Sequence, residues 1–426
     1  MNRSWGQTRL NLSASRNHPA WLGCLKSAAI CPLLLLLFFA GATAALASSA
    51  AKKITVQKLE ELVAAIHGKS DAAVADKLIE LELTERLSSL RMASLDTAMP
   101  GPLARGALIM LDDASAFLRP PADEISTAAP PDPDAQHRLI DLAADYASRT
   151  LAKMPNFFAT RETMLFMDKP VMHGIITTPV SQSLEFVEKF DATVLYRNGK
   201  QVVETRDTKG RDSETLRTGL VTSGEFGPIL GTLLTDARQG SITWGYWEQH
   251  SGTSLAVFRY SVPKEKSHYK AEFCCVLTGG GPAIFQRLAG YHGEIAIDPQ
   301  TGTILRLTMQ ADLKPAYPMA RADLMVEYGP IEIGGKTYNC PVKSVAIARD
   351  YEPLRVNRNA EPPSGFIGLQ NQQSSMERPE ILQTMLNHVD FREYHLFRSE
   401  SRMIIDEEAT PADNPPPTVP LSNPNR

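Results

Sequence analysis

Between Thr55 and Leu118 apolar residues recur at three- and four-residue spacing: Val56, Leu59, Leu62, Val63 and Ile66, then Val74, Leu78, Leu81, Leu87 and Leu90. That spacing follows the 3.6-residue period and predicts amphipathic helices. Gly68 and Pro100-Gly101-Pro102 interrupt the stripe, so a helical region of at least three helices is expected over residues 52–118. Pro120, Pro121, Pro130, Pro131 and Pro133 then mark residues 119–134 as an extended Pro-rich linker. Asp134 can cap a further helix over 135–152, which carries Leu139, Leu142, Tyr146 and Leu151 on one side.

After Pro155 the period changes to two and turn residues become frequent, the pattern of an antiparallel β domain. Strands are expected near 185–196, 242–249, 255–262, 269–277, 291–297, 303–309, 322–328 and 342–349, with one helix at about 225–237. Arg197-Asn198-Gly199-Lys200 predicts a two-residue hairpin, because Asn and Gly tolerate the positive φ of a type I′ turn. Asp298-Pro299-Gln300-Thr301-Gly302 predicts another turn. In the strand before it, Tyr291, Gly293, Ile295 and Ile297 share the buried face, opposite His292, Glu294 and Ala296. Residues 351–379 are too long for an ordinary internal loop and read as a long loop or lid. Residues 382–405 read as a final strand pair or one long strand, and 406–426 as a disordered Pro-rich tail. The fold class expected is α+β: an N-terminal helical region, then an antiparallel domain over 135–405 with covering helices.

The first 47 residues add a destination. Arg3, Arg9, Arg16 and Lys26 precede the apolar run Leu33 to Ala40, with Ala45-Leu46-Ala47 before Ser48 and no acidic residue ahead of it. Cationic end, short apolar core and small residues at a cleavage point are the order of a secretory signal, which places the mature chain in the periplasm or outside the cell. The alternative is an uncleaved anchor, since residues 30–47 approach the ~20 apolar residues of a membrane span. With cleavage, no stable span is expected in the mature chain. Cys24 and Cys31 precede the apolar core, where a lipid-modified cysteine would follow it. Removing the four cations takes the formal net charge from −4 to about −8, which gives no electrostatic support for binding nucleic acid.

Three cysteines follow the signal: Cys274, Cys275 and Cys340. In an oxidising compartment Cys340 can pair with Cys275 or Cys274, which point to opposite strand faces; the alternative is three buried thiols. No CxxC pair or His-x-x-x-His spacing accompanies them, so zinc is not expected. Gly68-Lys69-Ser70 and Gly335-Lys336-Thr337 end like phosphate loops, but Val63 and Pro330 stand where the first glycine must be. Gly279-Gly280-Gly281-Pro282 reads as a flexible connector. Neither a Gly-x-Ser-x-Gly elbow nor a His-Glu-x-x-His helix is found, so no enzyme, cofactor or metal is called. The histidines His173, His250, His268, His292, His388 and His395 are scattered, and their positions allow a cluster without implying one.

The candidate ligand-binding residues are aromatic. Ile242, Trp244 and Tyr246 alternate onto one strand face with Trp247 opposite, and Phe258 and Tyr260 follow on a neighbouring strand. Trp244, Tyr246, Phe258 and Tyr260 could line an enclosure for an apolar ligand; the alternative is that they fill the core between sheet and helix.

The helix before the strands, the run Gly293-Glu294-Ile295-Ala296-Ile297-Asp298-Pro299-Gln300-Thr301-Gly302-Thr303-Ile304-Leu305, and the strand-turn-strand from Val326 to Tyr338 resemble the LolA-like periplasmic lipoprotein carriers over about 135–405. In outline the whole chain is similar to exported proteins of acidobacterial-type genomes. The resemblance implies a strongly curved antiparallel sheet, an unclosed barrel, whose concave face is covered by helices and shelters acyl chains or apolar peptides. The N-terminal helices and the 351–379 insertion depart from that pattern. The expectation is a non-enzymatic envelope protein that binds an apolar ligand or a partner in the curved sheet. The alternative is a structural or protein-interaction module that docks through its N-terminal helices.

Overall fold

The computed structural model describes residues 51–66, 68–168, 183–204, 219–220, 225–250, 252–278, 281–314, 319–353 and 380–397. The segment expected to be a signal, most of the 351–379 segment and the Pro-rich tail lie outside these residues. The N-terminal region begins with β1 (Lys52–Ile54), α1 (Val56–Ala65), α2 (Asp71–Ile79) and β2 (Leu81–Leu83). The two short strands pair in parallel, so the two helices form the crossover that a parallel pair requires. Thr55 and Ser70 cap their helices by accepting from the N–H of Lys58 and Ala73, at 3.3 and 3.4 Å. Then come α3 (Ser89–Asp96) and α4 (Pro102–Ser115), the latter opened by proline at its first position.

The Pro-rich segment is an ordered strap. Ile125 bridges Glu248, the Ser126 N–H donates to the Trp247 carbonyl at 2.9 Å, and the Trp247 indole donates to the Ala129 carbonyl at 3.0 Å. Its far end starts α5 (Pro133–Lys153). The cap is Asp132, which accepts from the Ala135 N–H at 2.7 Å, and not Asp134 as expected. Pro133 explains the shift, because its fixed φ suits the first helical position.

The β region contains β3 (Phe157–Met167), β4 (Glu185–Arg197), β5 (Lys200–Glu204) and β6 (Gly219–Leu220). After α6 (Pro228–Gln239) follow β7 (Ser241–His250), β8 (Thr253–Val262), β9 (Lys270–Thr278) and β10 (Gly281–Leu288). The last five are β11 (Gly290–Ile297), β12 (Ile304–Asp312), β13 (Met319–Ile333), β14 (Lys336–Pro353) and β15 (Glu380–Leu396). Ten of them form an antiparallel sheet in the order β5-β4-β3-β15-β14-β13-β12-β11-β8-β7, which does not close into a barrel. The strap from the Pro-rich segment lies on the outer edge of β7, giving that edge hydrogen-bond partners it would otherwise lack. Asn198 and Gly199 both have positive φ, 52° and 75°, as their hairpin requires. Gly281, expected in the connector, begins a strand: it pairs Thr278, Pro282 pairs Leu277, and β10-β9-β6 form a second, small sheet, while Gly279 and Gly280 lie outside the described residues.

Helices lie on both faces of the large sheet. On one face, α5 and α6 share a core with Phe258, Tyr260, Leu324, Val326, Ala346 and Ala348. On the other, the N-terminal helices share a core with Phe166, Met325, Val345, Ile347 and Leu386. Successive residues of β13 and β14 therefore contribute to opposite cores, as the period of two demands. The N-terminal helices are thus the second cover of the sheet, and all the described elements belong to one compact unit.

Candidate functional site

The aromatic residues do not share one face. The β7–β8 register shifts at Gly245, with Trp244 opposite Phe258 and Tyr246 opposite Val257. A Cβ on Gly245 would stand 2.8 Å from the Val257 carbonyl oxygen, so this extra residue has to lack a side chain. The bulge turns Trp244 and Trp247 onto the same face, with ring centroids 4.9 Å apart, and sends Tyr246 to the other. Both the Trp244/Tyr246 alignment and the opposite placing of Trp247 are corrected by that one inserted residue.

Trp244, Phe258 and Tyr260 lie under α5 and α6. A seam lined by Ile140, Ala143, Leu234, Phe258, Ile295 and Ile297 encloses about 10 Å³, no more than the space for one water. The two covering helices are held differently. The Asp236 carboxylate of α6, fully buried, accepts from the His268 N–H at 2.8 Å, faces His268 Nδ1 at 2.6 Å and accepts from the Tyr291 hydroxyl at 3.0 Å. By contrast, among the described side chains of α5 Ala143 and Ala147 are the fully buried ones, and the helix is tied to α6 by the exposed Arg238–Asp141 pair at 3.7 Å. Its side chains reach over two glycines of positive φ: a Cβ on Gly302 would lie 2.6 Å from the Leu142 carbonyl oxygen, and one on Gly227 2.4 Å from Leu151.

Tyr246, on the opposite face, belongs to a polar cluster that periodicity does not disclose. Its hydroxyl donates to Glu294 at 2.8 Å, and Arg259 Nε donates to the same carboxylate at 3.2 Å. The guanidinium groups of Arg119 and Arg259 lie 5.5 and 5.9 Å from the Tyr246 ring centre, within cation–π range. Behind it Glu248 is shared by Arg86 at 2.6 Å and Arg306 at 2.8 Å, all three buried. Burial alone would raise the Glu248 carboxyl, but the charges and hydrogen bonds of Arg306 and Arg86 outweigh it and hold the group at about 2.

A second buried cluster joins α4 to β14 and β15. Lys343 contacts Asp112 and lies 2.8 Å from Asp113, while His388 is 2.8 Å from Asp113 through Nδ1 and 3.4 Å from Asp390 through Nε2. Burial lifts Asp112 to about 6 against the pull of Lys343. The same burial would depress His388, yet the charge and hydrogen bond of Asp113 prevail and raise it to about 9.

Among the described residues the histidines do not gather. His268 serves Asp236, His292 faces Asp312 at 2.9 Å, His388 serves Asp113 and His395 packs on Phe158; His173 lies outside the described residues. Among the described residues, no group of three or more His, Cys, Asp or Glu is placed to hold a metal ion. Of the alternatives for the cysteines, Cys340 takes that of the buried thiol: it is free and fully enclosed, and burial pushes it up to about 12. The side chains of Cys274 and Cys275 lie outside the described residues.

These features define a class: an α+β protein built on an open antiparallel sheet with helices on both faces. Compared with protein-family models, with curated proteins and with solved structures, the chain matches none.

Proposed function

We propose that this is an exported envelope protein that binds an apolar ligand, a lipid or acyl chain, between α5 and the sheet, in the manner of the LolA-like carriers it resembles. The observation that carries the reading is the unequal hold on the two covering helices. A buried carboxylate with three hydrogen-bonding contacts pins α6, whereas α5 offers Ala143, Ala147 and the half-buried Leu139 and Ile140 to a floor of large apolar side chains, with one exposed ion pair. That hold is mainly apolar area, which an acyl chain of several methylenes can replace. Because the seam is filled in this state, the ligand enters by lifting α5 while α6 stays.

Protein purified from its own envelope under native conditions tests this by mass spectrometry and solvent extraction. The expected result is a bound lipid that Ala143→Trp, which fills the seam, excludes. Recovery of ligand-free protein that also fails to take up a fluorescent fatty acid would overturn it. A second reading is supported by Leu90 and Leu103, which are 66 % and 59 % exposed on α3 and α4: docking of a partner on the N-terminal helices. Replacing both by Gln separates the readings, since docking would be lost and lipid uptake kept.

A further inference from the structure

On the face away from α5, a cleft of about 250 Å³ opens between the end of α4 and strands β8, β11 and β12. Three independent features make it a built site. The β11–β12 ladder is interrupted at its floor: the pairs His292–Gln310 and Ile295–Leu307 leave Gly293 and Glu294 between, and the Glu294 N–H donates to the Thr308 hydroxyl at 2.9 Å. A Cβ on Gly293 would stand 1.9 Å from the Thr308 carbonyl oxygen, so the two backbones meet closely there, and the Tyr260 hydroxyl donates to that carbonyl at 2.5 Å. Charged groups converge on it as well. Arg86 lines the cleft with a side chain 6 % exposed, and Arg259 forms a wall. Arg259 uses Nε on Glu294, and its two terminal nitrogens have no partner among the described residues. Opposite stand Phe117 and Leu118, an apolar wall.

The unspent donors of Arg259 select the ligand. Glu248 is shared between Arg86 and Arg306, and Glu327 acts on Arg306 as well, so those charges answer one another. Glu294 takes only the Nε of Arg259. A planar fork whose terminal nitrogens have no partner among the described residues, facing an apolar wall, suits a singly charged, planar anion on a short apolar body. We infer that this cleft binds a small carboxylate, its carboxyl on Arg259 and its apolar part on Phe117 and Leu118. This site is separate from the seam under α5 and does not depend on it.

Calorimetric titration of the full chain with hexanoate, and with hexylamine as the oppositely charged counterpart, tests the assignment. The expected result is saturable binding of one hexanoate, no binding of hexylamine, and a loss of affinity of about tenfold or more in Arg259→Gln. Ala143→Trp, which fills the seam under α5, should leave this binding unchanged. If hexanoate gives no saturable heat up to about 10 mM, if hexylamine binds equally, if Arg259→Gln binds as the parent does, or if Ala143→Trp abolishes it, the assignment is overturned.

Discussion

His388 Nδ1 lies 2.8 Å from Asp113 Oδ2 across the join between α4 and β15, both side chains being buried. This contact ties the N-terminal helices to the sheet with charge as well as apolar area, and makes their union depend on pH.

His388 holds its proton more tightly in the folded chain than in the unfolded one, at about 9 against 6.5. Its stabilisation is complete below pH 6.5 and is lost as pH rises through about 9, a change on the order of 3 kcal/mol. Asp112, lifted to about 6, acts in the same sense lower down, its contribution complete below 3.8 and lost as pH rises through 6. Asp390, held near 2 by His388 and Arg392 despite its burial, acts the other way and loses its contribution as pH falls through 2. Burial would lower Lys343, but Asp112, Asp113 and Glu327 outweigh it and hold the group well above its ordinary value, so it stays charged across the intermediate range. Urea midpoints should therefore fall between pH 6.5 and 9, and His388→Gln should flatten that fall; equal slopes in parent and variant would refute the account.

Glu248→Gln removes the carboxylate that Arg86 and Arg306 share and leaves two buried guanidinium groups facing each other. A loss of about 3–5 kcal/mol is expected in chemical denaturation at pH 7. The parent should show a matching acid dependence, because the Glu248 contribution is present above its ordinary value of 4.5 and lost as pH falls through about 2.

Gly302→Ala places a methyl against the Leu142 backbone at a position of positive φ. The expected cost is about 1–3 kcal/mol, expressed as displacement of α5. Hydrogen exchange reads it directly: amides of α5 should lose protection while those of α6, pinned through Asp236, keep theirs.

Trp247→Phe removes the donor to the Ala129 carbonyl and costs about 1 kcal/mol. If the strap rests on this bond, limited proteolysis should cut within residues 126–132 faster in the variant. Unchanged cleavage would show that the Ile125 bridge and the Ser126 bond hold the strap without it.

Aromatic alternation misplaced Tyr246 because period two assumes an unbroken pairing register. Gly245 was a visible signal of a possible bulge, but only the close approach of the Val257 carbonyl shows that the residue is inserted there. The clusters around Glu248 and Asp113 were not legible for a different reason. Their members are drawn from α4, β7, β12, β14 and β15 and from the residues before α3: Glu248 lies 58 positions from Arg306, and Asp113 lies 275 from His388. A runs-and-spacing reading sees each as an ordinary solvated charge.

By itself the sequence determined the change from helical to two-residue period, the hairpin at Asn198-Gly199 and the period-two face of β11, because these depend on backbone preference and on contacts between near neighbours; it did not disclose β1, β2, β3 or β10. The continuous apolar stretch Leu324-Met325-Val326 already carried both sides of a sheet, but not what would cover each. Tertiary structure alone decided that the N-terminal helices cover one face and α5 and α6 the other, that the Pro-rich segment straps an edge strand, and that buried charges are shared in threes. Those outcomes depend on which distant surfaces meet and exclude water, and no local pattern records that choice.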